Sequence, residues 1–330
     1  MGMNDTAFSK STSVHASSDP LLAEFAQTVG HTDPVAVEGG RTRWATGGDP
    51  RTSTRLVRAP SGIVEYKADE MTVRVRAGTT VSEMHAMLAQ HGQRTALPQR
   101  SETATVGGAI AVGENDVAMM SKGALRSCVL QVRYVSADTK IVTGGGPTVK
   151  NVSGFDLPRL MVGSLGTLGL LAEMVLRTNP MPEVGLWLES NEVDPFRARD
   201  LLTSASTILW NGTQTWIHLE GHGPVVESDQ CALSAIGTFN PTDTQPELPP
   251  NRWSMPPKNL QSLAGAAAAT RGTTIPTGRF VAAVGTGLVW ADQPAPRRRP
   301  DPTVLKINQQ LKTNFDPTGR LNPGRDPLGK

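Results

Sequence analysis

The stretch Lys122–Pro180, KGALRSCVLQVRYVSADTKIVTGGGPTVKNVSGFDLPRLMVGSLGTLGLLAEMVLRTNP, decides how the first half of the chain is read. Its opening holds two apolar, β-branched runs separated by Ala137-Asp138-Thr139, which predicts two strands joined by a turn. Its close is another apolar run, Leu168–Arg177, read as a strand. The most apolar part, Leu160–Leu176, is too short and too interrupted by glycine to span a membrane. Between the strands lie two glycine-rich loops, Thr143–Leu160 and Val162–Glu173. Ordering such loops costs backbone entropy, so several of them in one domain argue for a bound ligand.

Two further glycine elements lie upstream. TVGGAIAVG (Thr105–Gly113) would let the backbone approach a flat or phosphorylated ligand closely; a helix start packed tightly on a sheet explains it equally well. EGGRTRW (Glu38–Trp44) follows a predicted strand, Val35–Gly39, and could wrap a phosphate oxygen with amides free of Cβ obstruction, or form a plain surface turn. Neither fits Gly-x-Gly-x-x-Gly, and no Gly-Lys-Ser/Thr nucleotide loop occurs. Around them, a helix is expected over Leu21–Val29 and a half-buried strand over Met71–Ala77, with Met71, Val73 and Val75 on one face. A second helix follows Thr80, with Glu83 three positions on as a capping pair and Gly92 as its end.

The length, 330 residues, suggests about two domains. A second unit is expected from about Pro180, with strands in VGLWLES and TWIHLEG and helices in DPFRARDLLTSA and VESDQCALSAIG. Six prolines in Pro241–Pro257 predict an irregular segment. NLQSLAGAAAAT reads as a helix, GRFVAAVGTGLVW as two strands around Gly285, and VLKINQQLKTNF as a final helix before a turn-rich tail. The alternation of strands and helices gives an α+β layer.

Gly 33 and Pro 25 are too frequent for a helical bundle and too aperiodic for collagen. Lys+Arg 32 against Asp+Glu 30 gives no electrostatic reason to expect nucleic acid or an anionic membrane as partner. Cys128 and Cys231 lack zinc or iron–sulfur spacing and are expected to be buried, reduced thiols of a cytoplasmic protein. The first residues lack an apolar core, so no signal peptide is expected. No acid–base or nucleophilic constellation stands out. His218 and His222 in HLEGH do not form His-Glu-x-x-His, Gly221 would break a helix there, and no metal is expected. Ser164 in Gly-Ser-Leu-Gly is not a nucleophile elbow.

Taken in order, GGRTRW, LPQRSETATVGGAIAVG and the Lys122–Pro180 stretch resemble the FAD-binding domain of the FAD-linked oxidases, the vanillyl-alcohol-oxidase-like (PCMH-type) family. Within it the similarity is greatest to the E, or FAD-binding, subunits of bacterial glycolate oxidases, and the ending FDPTGRLNPGR (Phe315–Arg325) is similar to the tail of that family. The similarity is dense over Val35–Pro180, thin over Met181–Pro300 and clear again over Thr313–Arg325.

Residues 1–18, rich in Ser, Thr and Asn, are expected to be frayed. The resemblance implies a two-lobed FAD-binding domain at 19–180, a reduced α+β cap domain at 181–300, and a C-terminal helix and tail at 301–330 that return to the flavin domain. It implies that Gly39, Gly40, Arg41 and Thr42 wrap the pyrophosphate, and that Thr105, Val106, Gly107 and Gly108 lie along the pyrophosphate and flavin. It places Gly163, Ser164, Thr167, Leu168 and Gly169 near the adenosine half. Lys150, Asn151 and Gly154 fall near the isoalloxazine edge, and Asn322 in the returning tail. Relatives that attach flavin covalently use a histidine in the first glycine loop; this chain has none between His31 and His85, so noncovalent FAD is expected.

The implied activity is oxidation of a small 2-hydroxy acid such as glycolate, in a complex with a second flavin subunit and an iron–sulfur subunit. The chain would be cytoplasmic, with any membrane association made through partners. Arg133, Arg159 and Arg279 are candidates for the substrate carboxylate, and no catalytic base is named. The short cap also fits a non-catalytic or weakly flavin-binding assembly subunit of such a complex.

Overall fold

The computed structural model describes residues 13–14, 19–146, 156–243, 245–268, 276, 278–296 and 300–329. The chain divides into two compact units, one of residues 1–116, 124–180 and 298–330, the other of residues 117–123 and 181–297. Both mix helices with antiparallel sheet. Of the expected segment 1–18, only Ser13–Val14 is described.

The first unit is built on a six-stranded sheet. Its strands are β1 (Ser13–Val14), β4 (Ile63–Lys67), β5 (Thr72–Arg76), β7 (Val129–Val135), β8 (Ile141–Gly145) and β9 (Leu170–Arg177), in the order β1-β8-β7-β9-β5-β4. The turn expected at Ala137–Thr139 joins β7 to β8, with Thr139 left-handed at φ 64°. Val73 and Val75 are buried as the alternation predicts, whereas Met71 is 41% exposed at φ 51°, in the turn before β5. β2 (Val35–Val37) and β3 (Arg55–Val57) form a separate parallel pair, and β6 (Gln93–Arg94) pairs with β10 (Asn179–Pro180).

Helix α1 (Pro20–Val29) starts where Asp19 accepts a hydrogen bond from the Leu21 amide at 3.0 Å. Its buried stripe, Leu22, Phe25, Ala26 and Val29, meets Val135, Ile141, Leu170 and Ala172 on one face of the sheet. Each large side chain so buried contributes about 1.5–3 kcal/mol. The other face packs under α2 (Val81–Ala89) and α3 (Val106–Val112), where Met84, Leu88 and Ile110 meet Val73, Val132 and Met174. The expected cap of α2 is present, with Thr80 Oγ1 accepting from the Glu83 amide at 3.1 Å.

The C-terminal helix, Pro302–Phe315, leads into a tail that folds back on this unit. Asp316 is almost fully buried and accepts from the Arg320 amide (3.1 Å), the Leu321 amide (2.8 Å) and Lys312 Nζ (2.5 Å). Arg320, 3% exposed, donates to the carbonyls of Val29, Gly30, Asp33 and Ala137. Leu321 thereby lies parallel to Val35, with the Asn322 amide bonded to the Val35 carbonyl at 2.7 Å. The tail thus joins β2 through a single parallel bridge.

The second unit is a seven-stranded antiparallel sheet. In chain order its strands are β11 (Val184–Ser190), β12 (Ala205–Trp210), β13 (Thr215–Gly221), β14 (Asn240–Thr242), β15 (Asn251–Ser254), β16 (Phe280–Ala283) and β17 (Leu288–Ala291). They are ordered β14-β11-β13-β12-β16-β17-β15. The expected helices fall at Pro195–Leu201 and Gly223–Ser234. The irregular reading of Pro241–Pro257 holds for residues 245–250 and is corrected at the two strands that flank them. β14 and β15 lie in or against that segment as edge strands, and β14 places Pro241 there, where proline's missing N–H is tolerated. The Pro257–Ala268 segment is 3₁₀ rather than α-helical. Cys128 is buried and pushed up to about 12 by desolvation, which makes it inert; Cys231, expected buried, is exposed.

Candidate functional site

The first unit carries a cleft between the β2 loop, α3 and the returning tail. Its larger part, of about 600 Å³, is lined by Gly39, Gly40, Arg58, Gly78, Thr103 and Gly166, among others. A smaller chamber of about 120 Å³ continues from it past Arg43, Trp44, Pro98, Arg100 and Glu114. Together they fall within the roughly 300–1,000 Å³ of small-molecule sites.

The β2 loop supplies the donors. The Glu38 amide is bonded to Val57 and the Trp44 amide to Arg41, but between them the amides of Gly39, Gly40, Arg41 and Thr42 make no hydrogen bond among the described residues. Consecutive free amides form a concavity suited to an anion. Gly40 must be glycine, because a Cβ there would fall onto the Thr103 carbonyl. Arg41 holds φ 55°, a strained value for a non-glycine residue. It is pinned by Glu38 at 2.7 Å and by its guanidinium lying 5.0 Å from the centre of the Trp44 ring. The other side of the loop is held by Arg325. Its guanidinium lies 4.7 Å from the same ring and donates to the carbonyls of Trp44, Thr46 and Gly48.

Helix α3 forms the opposite wall. Thr105 caps it, accepting from the Gly108 amide at 3.2 Å, while the Val106 and Gly107 amides go to the carbonyls of Thr79 and Ala77 at 2.9 Å each. These donors are spent on the protein, so the segment offers a smooth surface rather than an anion-binding helix end. A Cβ on Gly107 would lie 2.7 Å from the Ala77 Cβ, so this glycine serves helix–sheet packing; Gly108 is exposed on the cleft wall and meets only Thr105 Oγ1, at 2.9 Å. Val106 is fully buried.

Of the Val162–Glu173 loop, Leu165 and Gly166 line the cleft. Gly163 and Ser164 sit behind them, the Gly163 amide bonded to Ile110. Thr167 and Leu168 line a separate crevice beside the C-terminal helix, and Gly169 packs on the Tyr134 ring. Asn322, at φ 45°, closes the cleft from the tail; its Nδ2 donates to the Leu165 carbonyl and its Oδ1 is buried without a partner. Lys150, Asn151 and Gly154 lie outside the described residues.

The arginines expected to meet a substrate lie elsewhere. Arg133 is engaged with buried Glu173 inside the sheet, while Arg159 and Arg279 form surface pairs with Asp156, and with Glu247 and Asp292. The cleft contains instead Arg43, paired with Glu114 at 3.2 Å, and Arg100, which sequence reading passed over as part of a loop containing Pro98. Burial presses the Arg100 pKa down. His218 stacks on Trp187 and shares a 2.6 Å hydrogen bond with Ser206, while His222 pairs with Glu183 on the surface. No cluster able to hold a metal occurs among the described residues. No helix among them is long and apolar enough to cross a membrane.

Residues 16–145 match the FAD binding domain family. Along nearly its whole length the chain is similar to glycolate oxidase subunit GlcE of Escherichia coli, at 28% identity over 93% of this chain and 97% of that one. Residues 16–145 thus make an FAD-binding domain of this family. D-lactate dehydrogenase of Archaeoglobus fulgidus is 35% identical over 44% of this chain, covering a third (33%) of that longer protein. The fold is similar to that of alkyldihydroxyacetonephosphate synthase, with a TM-score of 0.67 at 14% identity, over 92% of this chain and 74% of that one.

The cleft fits the family's cofactor on its own terms. It offers four free amides for a phosphate, a glycine-surfaced wall for close approach, and an orphaned acceptor on Asn322. The chain is thus related to glycolate oxidase subunits and D-lactate dehydrogenases.

Proposed function

We propose that this protein is the FAD-binding E-type subunit of a complex that oxidises a 2-hydroxy acid such as glycolate, holding its FAD noncovalently. The observation that carries the reading is the end-to-end similarity to glycolate oxidase subunit GlcE, joined to a cleft with unspent donors in the same unit. The Gly39–Thr42 amides would hold the cofactor's phosphates, with Gly40, Gly108 and Gly166 leaving room for its length. Asn322 Oδ1 would accept a donor of the cofactor, and Arg325 would keep the β2 loop in shape. Bound FAD would supply the two-electron acceptor for the Cα hydride of the hydroxy acid. The noncovalent reading rests on the sequence, which has no histidine between His31 and His85, the stretch that holds the first glycine loop.

A second flavin subunit and an iron–sulfur subunit are proposed as partners. The internal use of the α3 amides favours a second reading, an assembly subunit that holds flavin weakly. Co-purification from the native host, followed by glycolate and D-lactate oxidation with a dye acceptor, separates the two. The proposal expects turnover by the complex that falls when Gly108, on the cleft wall, is replaced by valine. Unchanged turnover would favour the assembly role.

A further inference from the structure

The small chamber of the cleft is lined by four arginines, Arg41, Arg43, Arg100 and Arg325, against one carboxylate, Glu114. Three of the four are already engaged. Arg41 is paired with Glu38, Arg43 with Glu114, and Arg325 is bonded to three carbonyls of the 44–48 loop. Arg100 differs. Its guanidinium makes one long hydrogen bond, Nη2 to the Asn115 carbonyl at 3.3 Å, and its Nε is buried without a partner. Glu114 and Asp116 act on it only through their fields, and no described carboxylate lies within ion-pair distance. A half-buried guanidinium whose Nε is shut away from water without a partner is costly to leave so poorly matched unless a ligand completes it.

We propose that Arg100, rather than Arg41, is the anion anchor of this cleft, taking up an oxyanion of the bound ligand through its open guanidinium edge. The oxyanion is either the diphosphate of the dinucleotide cofactor or the carboxylate of the hydroxy acid. The inference deepens the FAD reading and rests on it. Arg41 stands 54% exposed with its Nε on Glu38, so its contribution to the cradle is its backbone amide.

The test compares wild type, Arg100→Gln and Arg100→Lys, titrated with FAD, riboflavin, glycolate (on the FAD-loaded protein) and inorganic pyrophosphate, alongside the melting temperature of the ligand-free chain. If the diphosphate is the partner, R100Q loses roughly 10–100-fold in FAD affinity, R100K loses less, and riboflavin binding is unmoved. If the carboxylate is the partner, FAD binding is unmoved and the glycolate-induced change in the flavin spectrum weakens by a similar factor. Ligand-free R100Q should melt no lower than wild type, because an unmatched buried charge has been removed.

A ligand-free R100Q that melts several degrees lower would assign Arg100 a structural role and overturn the proposal. So would FAD and glycolate affinities both unchanged in R100Q. Should wild type bind no FAD, the flavin reading fails separately. Pyrophosphate then decides for Arg100: a melting-temperature rise in wild type that R100Q lacks sustains the anchor, and no rise in wild type rejects it.

Discussion

The two adjacent glycines of α3 should separate when each is replaced by valine. At Gly107 a Cβ lies 2.7 Å from the Ala77 Cβ and 3.0 Å from the Ala77 carbonyl oxygen, to which the Gly107 amide is itself bonded. Ordinary contact begins near 3.4 Å, so the helix would have to retreat by about 0.7 Å from β5 and stretch that bond. Overpacking of this kind costs about 1–3 kcal/mol, and the two further methyl groups push toward the upper end. For a unit of this size each kcal/mol is about 2–4 °C, so Gly107→Val should melt about 4–10 °C lower. At Gly108 the Cβ meets only the Thr105 hydroxyl and otherwise stands in the cleft. Valine there is slightly better than glycine for a helix, so the melting temperature should stay within about 2 °C. The branched side chain would occupy ligand space, and FAD affinity should drop by about 100-fold or more. Differential scanning fluorimetry of the ligand-free proteins and flavin fluorescence titration read the two effects independently. Wild-type FAD affinity in Gly108→Val would refute the assignment of this cleft, and an unchanged melting temperature in Gly107→Val would refute the packing argument.

Other expectations concern the supports of the site. Arg320→Met strands the four carbonyls of Val29, Gly30, Asp33 and Ala137 and should cost about 3 kcal/mol or more in urea unfolding, with FAD affinity falling because the tail is released. Asn322→Gly keeps the left-handed backbone and removes the orphaned acceptor; FAD binding should weaken about 3–10-fold with little loss of stability. At Asp19, burial works to raise the carboxyl pKa. The hydrogen bond and charge of Arg76, with the Leu21 and Leu22 amides, outweigh it and hold the group below its ordinary value. A depressed carboxyl stabilises the fold above its unfolded pKa and loses that contribution as pH falls through the folded value. Asp19→Ala should therefore cost about 1–2 kcal/mol at pH 7, and the gap to wild type should close below about pH 4.

Local signals in the sequence carried much of this fold. Thr80 and Glu83 marked the start of α2, the alternation of Val73 and Val75 marked β5, and Ala137–Thr139 marked the turn between β7 and β8. β12 was passed over because it is central in its sheet and buried along most of its length. Its run ASTILW shows no period of two to set it apart from the helix before it. Residues 117–123 join the second unit although the chain around them belongs to the first, a grouping made by contacts distant in sequence such as Ser121 on Glu220. In the site, composition left the Gly39–Thr42 loop open between a phosphate nest and a surface turn, and only the resemblance singled it out. The division of labour between Arg41 and Arg100 was not legible. It depends on Glu38 and Trp44 capturing one guanidinium, while the loop after Pro98 leaves the other in the cleft with its Nε unpartnered.

The most direct test of the account is the flavin content of the freshly purified protein. It should carry, or take up from added FAD, close to one equivalent per chain, and acid precipitation should release all of it into the supernatant. A colourless protein that takes up no FAD at micromolar concentration would contradict the central claim. Flavin that stayed with the precipitate would contradict noncovalent attachment.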